Sequence, residues 1–235
     1  MSLFSWLRKP GASPAPALQA RLERLPLPQP PARHSLRQQR WVVVDLETSG
    51  LNVNRDQVLS IGAVVIEDGA IDFSQQFERT LQNRQHKPGP SVLLHGLGPS
   101  AIAAGSDPAQ ALVEFLEFTA DSPLLAFHAP FDQRMLTRAL KDHLNHNLQH
   151  SFYDVAEMAP LLCPQVTLRE AGLDDWINHF GLEIQARHHA SADALVTAEL
   201  ALILFSHARR MGLDSPEALD QQLRQWRRRQ QIHGF

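Results

Sequence analysis

From Trp41 onward the chain alternates short apolar runs with clusters of Gly, Pro, Asn and Asp. Trp41-Val42-Val43-Val44 runs on into Asp45-Leu46, and such a nearly continuous run predicts a strand over 41–46, buried on both faces. Val58 to Glu67, rich in Ile and Val, predicts a second strand, and Asp68-Gly69 is a hairpin turn signal. Ile71, Phe73 and Phe77 begin a third strand, so the first three form an antiparallel meander. Pro88 to Pro99 reads as an irregular loop around Val92-Leu93-Leu94. A helix is predicted over 108–119, with Asp107 as N-cap and Pro108 at its first position. Leu124 to Phe127 predicts a fourth strand, and 130–141 a helix with Met135, Leu136 and Leu140 inward. Phe152 to Val155 predicts a fifth strand. Thr167-Leu168-Arg169-Glu170 has the form of a capping box and predicts a helix ending near Gly181. Ala194, Leu195, Ala198, Leu202 and Phe205 recur at helical spacing, predicting a helix over 190–208. A last, basic helix is predicted from Pro216 to about Arg229. A meander followed by helix, strand, helix, strand and helices makes an α/β layered domain with a mixed sheet of five strands.

Composition adds boundaries. Seven of the 16 prolines fall before Trp41, so residues 1–40 read as a Pro-rich, basic N-terminal extension. Within it Leu18, Leu22 and Leu25 can form one short helical face, stopped by Pro26. The globular domain then covers 41–210, and 211–235 form a basic C-terminal helix or tail. The net charge of -3 hides an uneven distribution: 1–40 carry +6, 221–235 carry +4, and 41–220 therefore carry -13. An acidic body disfavours a polyanion except near bound cations and the basic ends. The single cysteine, Cys163, excludes an internal disulfide framework and fits a reducing, cytoplasmic setting. No uninterrupted apolar stretch approaches the length of a membrane span. Met1–Pro10 is too short and interrupted for a signal-peptide core, and the prolines that follow oppose the amphipathic helix of a transit peptide.

The candidate chemistry begins at Asp45-Leu46-Glu47. Residues i and i+2 of a strand face the same side, so both carboxylates leave a core strand together. Two adjacent carboxylates repel unless a cation or a proton lies between them, and divalent metals with oxygen ligands suit that role. Asp132, in Phe131-Asp132, and Asp193, in His188-His189-Ala190-Ser191-Ala192-Asp193, are later counterparts. Taken singly, Asp132 and Asp193 are ordinary first-turn acids and His188 an ordinary loop histidine. Together with the Asp45–Glu47 pair they point to a metal-dependent phosphodiester hydrolase.

As an ordered set these residues resemble the DEDDh (DnaQ-like) 3'–5' exonucleases, which include the proofreading epsilon subunits of bacterial DNA polymerase III. The resemblance covers about 41–208. Val44-Asp45-Leu46-Glu47-Thr48-Ser49-Gly50-Leu51 is similar to the first motif of the family, and Ile61-Gly62-Ala63 to its second strand. His95-Gly96-Leu97 resembles its His-Gly-Ile loop, Ala129-Pro130-Phe131-Asp132 its second motif, and His188 with Asp193 its third. The resemblance implies an RNase H-like fold and a two-metal mechanism with Mg²⁺ or Mn²⁺. It assigns Asp45, Glu47, Asp132 and Asp193 to the two divalent ions and His188 to the general base. Thr48, Leu51, His95, Leu97, His128 and Phe131 become nucleotide contacts, with Leu51, Leu97 and Phe131 against the terminal base. Two departures stand out. Phe127 and His128 occupy the places where the family carries His-Asn, so His128 either donates to sugar or phosphate or fills space. His189 adjoins His188 and competes for the base role, although the family spacing selects His188.

The resulting expectation is an exonuclease that shortens DNA, preferably single-stranded, from 3' ends and releases nucleoside 5'-monophosphates. The alternatives are an RNA or oligoribonucleotide exonuclease, separable only by contacts to the 2'-hydroxyl, and a polymerase-associated nucleic-acid-binding module. The extension at 1–40 offers a route to a polymerase or replication partner. A zinc hydrolase or deaminase finds no support: there is no His-Glu-x-x-His, and Cys163 has no cysteine partner.

Overall fold

The structure, a computed structural model, describes residues 14–83, 96–168, 171–183 and 189–233. Among the described residues the strands are β1 (Trp41–Thr48), β2 (Val58–Glu67), β3 (Ala70–Thr80), β4 (Leu124–Ala126) and β5 (Phe152–Asp154), in the spatial order β3-β2-β1-β4-β5. β1 is central, antiparallel to β2 and parallel to β4. Asp68 and Gly69 both have positive φ, 51° and 75°. That is what a two-residue hairpin between right-twisted strands requires, hence the Asp-Gly pair.

The helices are α1 (Pro16–Leu22), α2 (Pro99–Ala103), α3 (Pro108–Thr119), α4 (Ala129–Leu144), α5 (Val155–Leu162), α6 (Leu173–Phe180), α7 (Ala190–Arg210) and α8 (Pro216–His233). They cover the sheet on both faces, and the two-residue period of β1 divides the core between them. Val42, Val44 and Leu46 join Leu112, Phe115, Leu116, Met135, Leu136 and Leu140 of α3 and α4. Trp41 and Val43 join Met158, Leu162, Leu200, Leu204, Phe205 and Leu219 of α5, α7 and α8. Trp41 anchors this second layer, with its ring centroid 5.0 Å from those of both Tyr153 and Phe205. Its indole N–H donates to the Leu36 carbonyl at 3.2 Å. α7 is long and apolar enough to cross a membrane by composition. Its Ala194, Ala198, Leu200, Ala201 and Leu204 are nevertheless buried in the layer that packs on the sheet, which makes it a core helix.

Three local expectations need correction. The helix expected from Thr167 begins at Leu173, with Gly172 as N-cap. The Asp175 carboxylate accepts from the Gly172 N–H at 2.9 Å, so the cap is built from the acid of the first turn rather than from a threonine. The fifth strand stops at Asp154, and Val155 already belongs to α5. The fourth strand stops at Ala126, one residue short of Phe127. Most of the loop expected around Val92-Leu93-Leu94 lies outside the described residues, and beyond it Pro99–Ala103 is the short helix α2.

Residues 14–40 lie against the body. Leu22 and Leu36 are buried, and Arg21 makes two bonds to Glu117 of α3, at 2.8 and 2.6 Å. The Glu217 N–H donates to the Ala32 carbonyl at 2.9 Å, which joins this segment to the start of α8.

Candidate active site

Along β1, Asp45 and Glu47 are half-buried while Leu46 and Thr48 between and beyond them are buried. Strand alternation places both acids on the face that carries Trp41 and Val43, the face covered by α7. A register shift between Glu47 and Thr48 ends the regular ladder beside the acids, a common place for a bulge to re-aim a side chain.

Asp193 arrives from the first turn of α7. Gly62 decides how closely that helix approaches. It is the direct cross-strand partner of Asp45, so the two residues share a face. A Cβ at Gly62 would lie 2.1 Å from the Ala190 carbonyl carbon and 2.2 Å from the Ser191 nitrogen. No side chain fits there, and the start of α7 rests on bare strand backbone. One ligand oxygen from each of Asp45, Glu47 and Asp193 then falls within 4.8 Å of the others.

Three carboxylates at such spacing repel one another strongly. The N-terminal end of α7 offsets part of this for Asp193 through the helix dipole. A hard divalent cation suits such a set: every donor is a carboxylate oxygen, two are reachable from solvent and one is buried. Asp45, Glu47 and Asp193 can therefore hold a metal ion.

Asp132 sits apart from this close trio. It lies in the first turn of α4 and is 5% exposed. Burial pushes its carboxyl well above the ordinary carboxylate range, and the charge of Asp154 pushes in the same direction.

The expected nucleotide contacts that the structure describes differ in their surroundings. Thr48 is buried, and its hydroxyl donates to the Gly50 carbonyl at 2.9 Å, a bond that fixes the loop after β1. Asp56 organises the same loop by accepting from the Asn52 N–H at 2.8 Å and the Ser49 hydroxyl at 3.4 Å. Leu51 stands out from that loop, 86% exposed. Leu97 is half-buried, as is Phe131, which packs against the α3–α4 core. His128, the N-cap of α4, is exposed and has a left-handed backbone, φ 62° and ψ 44°. Its ring meets Phe127 edge-on at 4.8 Å. His189 is the exposed N-cap of α7. His95 and His188 lie outside the described residues.

One buried acid beside the site escaped the sequence reading. Asp154 is 4% exposed at the end of β5. The signal was present: Asp154-Val155-Ala156-Glu157 has the spacing of a capping box. The apolar run across Phe152–Val155 obscured it, and so did Pro160, which lies inside the helix that follows.

Known proteins resemble this chain in sequence and in fold. DNA polymerase III PolC-type of Clostridium perfringens is 28% identical over 165 residues, 70% of this chain and 11% of the relative. The PolC-type enzyme of Bacillus subtilis is 24% identical over 225 residues, 94% of this chain and 15% of the relative. The chain thus spans a small part of the length of these curated relatives. Among solved structures, E. coli Exonuclease I in complex with a dT13 oligonucleotide superposes with a TM-score of 0.63 at 18% identity, over 74% of this chain and 42% of that one. At that identity the likeness establishes the fold, the RNase H-like exonuclease architecture. The RNase_T exonuclease model matches residues 42–201, from the central strand through Asp193 and on into α7, and the chain belongs to that exonuclease family.

Proposed function

We propose that this protein is a metal-dependent 3'–5' exonuclease that removes nucleotides one at a time from the 3' end of single-stranded DNA and releases nucleoside 5'-monophosphates. The observation that carries this reading is the convergence of Asp45, Glu47 and Asp193 within 4.8 Å. Asp132 completes the ligand set in this proposal, although it lies outside the close trio. Bound Mg²⁺ or Mn²⁺ would supply Lewis-acid stabilisation of the charge on the scissile phosphate.

The chain's own residues do the rest. The four acids hold the cations that a polyanion needs in order to enter an acidic body. Leu51, Leu97 and Phe131 form apolar faces for the terminal base, a contact that tolerates any base. His95 and His128 would contact the terminal nucleotide. His188 takes the proton from the attacking water, a task suited to an imidazole near neutral pH. The Exonuclease I complex with dT13 supports single-stranded DNA as the substrate, and the PolC-type relatives support a replication setting. A polymerase or other replication partner would meet the basic N-terminal extension.

The test uses 5'-end-labelled single-stranded DNA, duplex DNA and RNA of one sequence, each with Mg²⁺, Mn²⁺ or EDTA. A ladder shortening from the 3' end, fastest on single-stranded DNA and absent in EDTA, is expected. Immediate release of the labelled 5' nucleotide, or cleavage that persists in EDTA, refutes the reading; faster loss of RNA replaces DNA as the substrate.

A further inference from the structure

α4 carries Asp132 in its first turn, yet its N-cap, His128, makes no side-chain capping bond. The backbone there is also in the left-handed region, where a Cβ is crowded against the carbonyl that follows and a histidine is held only by its surroundings. The Asp154 carboxylate lies against this turn. Its Oδ1 accepts from the His128 N–H at 3.0 Å and from the Ala156 N–H at 3.0 Å. One buried acid therefore satisfies amides at the starts of two helices, its own α5 and the neighbouring α4.

We propose that Asp154 is a positioning residue for the site: from the end of β5 it replaces the cap that α4 lacks, holds His128 left-handed, and so fixes the first turn that presents Asp132. This rests on the reading of Asp132 as a metal ligand. The competing role is simple capping of α5, and the two roles separate by geometry. Serine at 154 retains a hydroxyl for Ala156, as good N-caps do, but falls short of His128. Asparagine retains the same acceptor oxygen and reaches both amides. Glycine at 128 adopts positive φ without steric cost and makes the outside restraint unnecessary.

The experiment is a cycle of Asp154→Ser and His128→Gly, with Asp154→Asn beside it, reading kcat and KM on labelled single-stranded DNA together with a Mn²⁺ titration followed by electron paramagnetic resonance. Asp154→Ser is expected to lower kcat by about 10–100-fold and weaken Mn²⁺ binding, the usual consequence of losing a group that orients a ligand. Asp154→Asn should restore most of the rate. The serine change should cost several-fold less in the His128→Gly background, because coupled residues are not additive. Wild-type kcat in Asp154→Ser, or an equal loss in both backgrounds, overturns the proposal. Asp154→Thr, a second hydroxyl cap, replaces the serine variant should that one fail to fold. The Mn²⁺ arm keeps the two claims apart: a protein that cuts no substrate yet shows the same cycle in Mn²⁺ affinity loses the nuclease assignment and keeps the positioning role. A protein whose Mn²⁺ binding ignores both substitutions loses the positioning role.

Discussion

The two sides of the site are built differently. On the β1–β2–α7 side, Asp45 and Glu47 are fixed by strand alternation, and Asp193 reaches them because Gly62 lets α7 rest on the strand backbone. These acids gather within 4.8 Å. On the β4–α4–β5 side, Asp132 is sealed in the interior behind a left-handed turn, with a second buried acid, Asp154, beside it. The first side is assembled by regular backbone geometry and is ready for a cation. The second depends on a strained turn and on the protonation state of a buried carboxyl. Replacing an acid of the first should remove chemistry with little effect on folding, whereas replacing the acid of the second should affect both.

The largest expected effect is that of Asp45→Ala or Asp193→Ala. Either should reduce hydrolysis of labelled single-stranded DNA to background while leaving circular dichroism unchanged and the melting temperature in EDTA equal or higher, since removing one of three clustered acids relieves repulsion. Loss of folding in both would show that the trio serves architecture rather than a metal.

Next in size is Gly62→Val. The added side chain has to push the start of α7 away from β2, because backbone atoms stand 2.1–2.2 Å from its Cβ. Displacement of Asp193 by about 1 Å should cost on the order of 10²-fold in kcat. Overpacking should cost about 1–3 kcal/mol of stability. Steady-state kinetics and thermal denaturation of one preparation measure both, and wild-type kcat would remove Gly62 from the account of the site.

The smallest effect is one of pH on the metal-free protein, and it concerns the second side. Burial raises the Asp132 carboxyl well above its ordinary range. A group whose folded pKa exceeds its unfolded one contributes stability that is complete below the unfolded value, about 3.9 for Asp, and is lost as pH rises through the folded value. The melting temperature in EDTA should therefore fall as pH is raised from about 4 through the raised value, by about 2–4 °C for each kcal/mol lost. Asp132→Asn should flatten that fall. Equal slopes for the two proteins would mean that the buried carboxyl is compensated by other groups.

The chain alone determined the sheet and most of its covering helices. Hydrophobic period is a local property, and Val58–Glu67, Asp68-Gly69 and Pro108–Thr119 each carry their signal within a few residues. It also brought Asp45 and Glu47 to one side, because strand alternation needs no knowledge of the partner strand. Tertiary structure decided the rest. It seated the start of α7 on Gly62, turned α4 through a left-handed His128, and set Asp154 across two helix starts. Those outcomes depend on contacts between segments distant in sequence, such as Gly62 against Ala190 and His128 against Asp154, and local pattern contains no information about which distant backbone will come within hydrogen-bonding or van der Waals reach.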